Sequence, residues 1–191
     1  MEYQWPIKPE YQVIRLDLYG LRQRHYMIGR AKFHSGFDIT AKTETPIRPM
    51  CPGVVIRTDY MMPGDNFNKM YGNKVEILHD DGNRAIYAHL RKINVQVGDR
   101  VDYDTIIALS GCSGAARVPH LHFEIRRGND ECSGIDHTYN PLKILPKVDW
   151  KSINKPFDEE PYCSLWHVFK ENPWGLDDKD IAWNENRELV R

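Results

Sequence analysis

Val118-Pro119-His120-Leu121-His122-Phe123-Glu124-Ile125 constrains this chain more than any other stretch. It reads as a β-strand buried on at least one side. Side chains in a strand alternate faces with a period of 2, so Leu121, Phe123 and Ile125 point together into a core. His120, His122 and Glu124 share the other face. At ~3.3 Å rise per residue the two imidazoles leave the backbone ~6.6 Å apart. That separation suits two ligands of one metal, or one ligand beside an acid/base histidine. It also suits two histidines on a solvated face, so the remaining strands must decide.

Those strands are short and separated by turn chemistry. Val13 to Leu18 alternates, and Gly53-Val54-Val55-Ile56-Arg57 is β-rich. Asn73 to His79 and Ala85 to Leu90 flank Asp80-Asp81-Gly82-Asn83, and an Asp-Gly turn between alternating runs is a strong hairpin signal. Ile93 to Val97, Val101 and Thr105 to Leu109 add further short strands. Helical periodicity is nowhere sustained between 31 and 146. The expected fold is mainly β, two packed antiparallel sheets forming a groove, with an irregular or short-helical C-terminal extension.

The chain divides into an N-terminal segment (1–30) packed on a β domain (31–146), followed by an extension (147–191). The extension holds Trp150, Trp166, Trp174 and Trp183, four of the five tryptophans, and ten acidic residues against seven basic ones. Pro156, Pro161 and Pro173 limit it to short helices, placed at 162–171 and 177–190. It reads as an aromatic-anchored tail packed on the sheets, or more sharply as a partner-binding surface.

Composition excludes several classes. The whole chain has 26 Lys+Arg against 27 Asp+Glu, which gives no basic surface for nucleic acid or anionic membrane. There is no apolar run long enough for a membrane span. Met1-Glu2-Tyr3-Gln4-Trp5-Pro6 does not begin a secretory signal peptide. Cys51, Cys112, Cys132 and Cys163 include no CxxC pair, so they are expected as free, partly buried thiols rather than a structural zinc site.

Two more segments carry chemistry. His34 and Asp38, in Phe33-His34-Ser35-Gly36-Phe37-Asp38-Ile39, share a strand face but would lie ~13 Å apart in a straight strand. Gly36 permits a bend that brings them together. With one more histidine they supply three protein ligands and leave a fourth position for water, the pattern of a catalytic zinc. In Tyr87-Ala88-His89-Leu90, Tyr87 and His89 are expected on one face, opposite Ile86 and Ala88. A histidine in such surroundings is more often a core histidine than a catalytic one. His79, beside the hairpin turn and with no evident partner, reads as structural.

In combination and in this order, His34-x-x-x-Asp38, His89 and Pro119-His120-Leu121-His122-Phe123-Glu124 resemble the lysostaphin-type (LytM-like) zinc metalloendopeptidases, which cut peptide cross-links of bacterial peptidoglycan. Gly72-Asn73-Lys74-Val75, Val97-Gly98-Asp99-Arg100-Val101, Ser110-Gly111-Cys112-Ser113-Gly114 and Asn140-Pro141-Leu142 fit the same family. The resemblance covers residues 31–146 and implies one Zn²⁺ per chain held by His34, Asp38 and His122. It makes His89 and His120 the two catalytic histidines. Spacing alone would let His120 and His122 exchange roles, and does not say which of His89 and His120 is the general base. Glu124 is placed to hold a ligand imidazole, and Tyr26 and Tyr87 are further candidates to line the site.

The implied partners are peptidoglycan stem and cross-link peptides, reached in the periplasm, in the cell wall or after secretion. No export signal is evident in the chain, which leaves two alternatives: a trimmed chain, or delivery as an antibacterial effector or a phage lytic enzyme, the latter calling for an inhibitor (immunity-type) protein. A direct D-Ala–diaminopimelate link is the favoured bond, because no wall-targeting module is evident. The Met- and Asn-rich loop Tyr60–Met70 and the segment Gly114–Val118 depart from the family pattern, and both bear on substrate choice. The alternatives are a non-catalytic LytM-like binding or regulatory module, which would not require one zinc per chain, and a lipoyl-type carrier. The carrier would need a lysine on a tight hairpin turn, which is not seen.

Overall fold

Strand β12 (His120–Arg126) lies at the middle of the molecule and is buried on both faces along its whole length. The computed structural model describes residues 1–17, 19–22, 32–62, 70–128, 136–147, 182–183 and 189–190. After a 3-10 turn (Pro9–Tyr11), the strands are β1 (Gln12–Asp17), β2 (Gly20–Arg22), β3 (Lys32–His34), β4 (Phe37–Ala41) and β5 (Pro46–Ile47). They continue as β6 (Gly53–Asp59), β7 (Lys74–His79), β8 (Arg84–Ala88), β9 (Leu90–Ile93), β10 (Arg100–Val101) and β11 (Ala108–Ser110). After β12 come β13 (Thr138–Tyr139) and a second 3-10 turn (Pro141–Lys143), then β14 (Ala182–Trp183) and β15 (Leu189–Val190). The fold is therefore mainly β, as the alternation predicts.

The principal sheet is antiparallel, in the order β1-β4-β12-β8-β7-β6-β10, with β13 also on β12. A second sheet has the order β5-β11-β9, and β2 pairs with β3. One face of the principal sheet presents Phe37, Ile39, Val55, Val75, Ile77, Ala85, Tyr87, Leu121, Phe123 and Ile125 to a single apolar cluster, which also takes in Ile47, Leu90, Ile93 and Ala108 of the second sheet. Removing that apolar surface from water is what holds the two sheets together. Trp5 and Ile7 complete the cluster from the N-terminal segment. Trp5 stands edge-on to Phe37 at 6.0 Å and its indole N–H donates to the Pro146 carbonyl at 2.9 Å.

The hairpin around Asp80–Asn83 forms as predicted, pairing Leu78 with Arg84 and Ile77 with Ala85. Three expectations change. The run Ala85–Leu90 is not one strand: β8 stops at Ala88, and β9 starts at Leu90 in the other sheet. Of the run Ile93–Val97, only Ile93 belongs to a strand, and the run from Thr105 becomes strand only at Ala108. In place of a helix over 177–190, the four described residues there form the antiparallel pair β14–β15. Trp and Val are residues that strands favour. The helix expected at 162–171, Tyr26, Cys132 and Cys163 lie outside the described residues. Cys51 is a buried free thiol, as expected, and Cys112 is partly buried.

Candidate metal centre

The centre forms where β4 and β12 run side by side. Their register sets His122 opposite Asp38, and His120 opposite Thr40. Cross-strand partners share a face, so Asp38, His120 and His122 stand together on the side away from the apolar core. His34 arrives from β3, and the chain changes sheets at Ser35-Gly36 between β3 and β4. The bend expected at Gly36 is there, but glycine serves close approach: a Cβ would lie 2.5 Å from the Phe123 carbonyl oxygen and 2.9 Å from His122 Cε1.

His122 Nδ1 lies 2.8 Å from Asp38 Oδ1, and His34 Nε2 lies 3.1 Å from His122 Nδ1 and 3.3 Å from Asp38 Oδ1. Ligands ~2.0–2.2 Å from a tetrahedral ion sit roughly 3.3–3.6 Å apart, so these three atoms fit one such ion after a small outward movement. Two imidazoles and a carboxylate are also the donor set zinc accepts. All three residues are buried. His120 does not join them: its Nδ1–H donates to the Val118 carbonyl at 2.8 Å and its Nε2 is 3.8 Å from Asp38 Oδ1. The geometry thus separates the two histidines that spacing left interchangeable.

His122 is held from behind. Its Nε2 donates to Glu124 Oε1 at 3.0 Å, and Arg126 Nε donates to Glu124 Oε2 at 3.2 Å. Burial disfavours the imidazolium, but hydrogen bonding to Asp38 and Glu124 outweighs it and carries the His122 pKa up to about 9. Burial likewise works against the Glu124 carboxylate, yet the His122 hydrogen bond and charge bring it down to about 2. For Asp38 burial is again overcome, by the charges of His34 and His120 and a hydrogen bond from His122, so its carboxyl stays well below the usual range. A cation at the three ligand atoms would replace the proton on His122 Nδ1 and leave Nε2–H on Glu124, a common arrangement around metal-binding histidines.

His89 reaches the centre by a different route. It has φ +62°, in the left-handed region, at the joint between β8 and β9. Its backbone N–H donates to the Tyr71 carbonyl at 2.9 Å, which fixes the bend. The expectation that Tyr87 and His89 share a face is therefore wrong. Tyr87 pairs with Phe123 on the core side, where its hydroxyl accepts from the Met50 N–H at 2.9 Å and donates to His79 Nε2 at 3.1 Å. His79, expected to lack a partner, has that one and also lies 3.3 Å from the Pro52 carbonyl through Nδ1. The bend turns His89 to the opposite side, where its ring lies 4.5 Å from that of His120 and 5.9 Å from that of His122.

His89 Nδ1–H donates to the Ser113 carbonyl at 2.8 Å. In both His89 and His120 a backbone carbonyl therefore selects the Nδ1–H tautomer and leaves Nε2 as the basic nitrogen. Burial pushes both pKa values down, for His89 well below the ordinary value with help from the nearby His120 and His122. All five expected residues thus converge. Tyr71 is an addition that strand parity did not reveal: it lies between strands, and its hydroxyl donates to Glu124 Oε1 at 2.6 Å.

Residues 32–134, more than half of the chain, match the family model described as peptidase family M23. The chain belongs to peptidase family M23. Among M23 relatives it is 37% identical over 92 residues to the glycyl-glycine endopeptidase ALE-1 of Staphylococcus capitis, covering 48% of this chain and 24% of that protein. It is 35% identical over 103 residues to the peptidoglycan DD-endopeptidase ShyC of Vibrio cholerae, covering 54% of this chain and 22% of that protein. The catalytic domain of lysostaphin from Staphylococcus simulans superposes with a TM-score of 0.57 at 28% identity, over 68% of this chain and 90% of that one. The chain therefore spans less than a quarter of the length of these curated M23 relatives, and most of a single M23 catalytic domain.

Proposed function

We propose that this chain is a zinc-dependent endopeptidase that hydrolyses peptide cross-links of bacterial peptidoglycan. The observation that carries the reading is the convergence of His34 Nε2, Asp38 Oδ1 and His122 Nδ1 beside two histidines whose Nδ1 atoms are held by carbonyls. Membership of M23, with relatives named for cleaving glycyl-glycine bonds or as DD-endopeptidases of peptidoglycan, supports the substrate class.

His34, Asp38 and His122 would hold one Zn²⁺. When bound, it supplies Lewis acidity toward a carbonyl oxygen and acidifies a water. His89 and His120 then act through Nε2. Each is neutral near pH 7 and anchored at Nδ1, so one accepts the proton of the attacking water and the other hydrogen-bonds the developing oxyanion or the leaving amine. Burial of the pair keeps bulk water from competing for those bonds. Glu124 keeps the His122 ring in the orientation that presents Nδ1 to the ion.

In this reading residues 31–146 are the peptidase domain, 1–30 pack on it, and 147–191 form a separate extension. The activity belongs at the cell wall, in the periplasm or outside the cell, as that of a delivered antibacterial effector or phage lytic enzyme. The acidic, Trp-rich extension is then the candidate surface for an inhibitor protein. The test is mass spectrometry of purified peptidoglycan, with direct and with glycine-bridged cross-links, after incubation with zinc-loaded protein with and without chelator. Chelator-sensitive fragments are expected, and their masses identify the bond, with the direct link expected to be cut first. Intact peptidoglycan of both types, from protein holding one zinc per chain, would overturn the proposal.

A further inference from the structure

Tyr71 touches both halves of the centre through different atoms. Its hydroxyl donates to Glu124 Oε1 at 2.6 Å, the same oxygen that receives the His122 Nε2 proton at 3.0 Å. Its ring lies 5.5 Å from the His122 ring. Its carbonyl accepts the His89 N–H at 2.9 Å and so holds the left-handed bend that turns His89 inward. Two further contacts fix Tyr71 itself. Gly72, at φ +60°, packs so tightly on the next loop that a Cβ would lie 2.4 Å from the Ser113 carbonyl carbon. The following residue, Asn73, donates its N–H to Ser113 Oγ at 2.9 Å and accepts from the Leu90 N–H at 3.0 Å.

Ser113 in turn supplies the carbonyl that receives His89 Nδ1–H. Tyr71-Gly72-Asn73 therefore forms a short rigid bridge between the metal-ligand side and the acid/base side. Burial and the Glu124 carboxylate both push the Tyr71 pKa up, so the phenol keeps its proton and remains a donor. A carboxylate oxygen that accepts from a phenol on one side and an imidazole on the other has a fixed lone-pair direction. That direction sets the tilt of the His122 ring.

We infer that Tyr71 is a positioning residue for the metal centre: its hydroxyl locks Glu124, and through Glu124 orients His122 Nδ1 toward the ion. The inference rests on the zinc site proposed above and assigns a role to a residue that touches neither the ion nor the reacting atoms.

The test is zinc affinity of the full chain, measured by competition with a chromophoric chelator for wild type, Y71F, E124Q and the double variant. Y71F keeps the ring and the carbonyl to His89, and so removes only the hydroxyl. Affinity is expected to fall about 10-fold or more, in the range seen when partners behind a ligating histidine are removed. If the two residues act through one bond, the Y71F/E124Q double variant should lose little more than E124Q alone. Y87F removes a buried hydroxyl on the core side and controls for general destabilisation; it should lower the melting temperature without moving zinc affinity.

Unchanged affinity in Y71F would overturn the inference, as would losses that add in full in the double variant, or an equal loss in Y87F. Should Y71F fail to fold, E124Q in the wild-type Tyr71 background keeps the question open to measurement, because unchanged affinity there also overturns the relay. If wild type itself holds no zinc, it is the proposed zinc site that fails, an outcome distinct from a failure confined to Tyr71.

Discussion

Replacing Gly36 by alanine tests whether the approach of β4 to β12 assembles the centre. The added methyl would stand 2.5 Å from the Phe123 carbonyl oxygen, 2.8 Å from Glu124 Cγ and 2.9 Å from His122 Cε1. Close carbon–oxygen contacts sit at roughly 3.3–3.6 Å, so the backbones must separate by roughly 0.8–1.1 Å. The nearest atom is backbone, held in the sheet between β4 and β8, and cannot turn aside as a side-chain tip would. Overpacking of this kind costs about 1–3 kcal/mol. For a chain of this size that lowers the melting temperature by roughly 2–12 °C. The shift falls two residues before the proposed ligand Asp38 and against the ring of His122. A ~1 Å misplacement at a reacting centre can cost about 100-fold in rate. The assays are differential scanning calorimetry, chelator competition for zinc, and cleavage of cross-linked peptidoglycan fragments. A G36A protein that melts within about 1 °C of wild type, and keeps its zinc affinity and rate, would refute the reasoning.

Four further outcomes are expected. Y87F strips the Met50 N–H and His79 Nε2 of a buried partner, a loss of about 1–3 kcal/mol measurable by urea denaturation. Trp5→Ala removes a core side chain supplied from outside the residues that match the family, and should cost about 3–5 kcal/mol by the same measurement. Glu76 is buried between Lys74 and Arg84; burial opposes its charge, but their hydrogen bonds and charges prevail and hold its pKa below the ordinary value. The unfolded chain then binds that proton more tightly, so the stabilisation is full above the ordinary carboxylate pKa of ~4.3 and fades as pH falls through the folded value. Urea curves of wild type and E76Q should accordingly differ at pH 7 and converge toward acid pH; parallel curves would remove Glu76 as the cause. Finally, chelator-treated protein should gain about 2.7 kcal/mol of stability at a free zinc concentration of 100 Kd, read as a rise in melting temperature on zinc titration, and gain none with magnesium.

How much of this could be read from residues alone depended on whether a strand ran unbroken. Within β12, parity correctly put Leu121, Phe123 and Ile125 in the core and His120, His122 and Glu124 on the other face, because no bulge interrupts its pairing with β4 or β8. Parity failed one strand away. Counting from Tyr87 to His89 assumes an extended backbone at every step, and the positive φ at His89 reverses the face. Glycine signals such a conformation most clearly; histidine adopts it more often than most other residues, but too rarely for a single histidine to mark the bend. Tyr71 was hidden for another reason: it sits in no alternating run, and its partner Glu124 is 53 positions away. A hydrogen bond across that distance leaves no local pattern. The proposed ligands His34, Asp38 and His122 came from the family resemblance, since spacing by itself left His120 and His122 interchangeable.

The bend at His89 stands where the chain passes from the larger sheet to the smaller one. Its side chain is tied to the Ser113 loop, whereas the proposed ligands Asp38 and His122 belong to the larger sheet. His89, one of the two proposed acid/base histidines, and the proposed ligands Asp38 and His122 thus answer to different layers of the sandwich. Any slippage between the layers reaches the centre as a change in the gap between His89 and His122, before a single ligand has moved. The apolar cluster between the sheets consequently acts as the gauge block of the proposed active site. Core substitutions far from the metal should register first as lost turnover, and only later, with further damage, as lost structure.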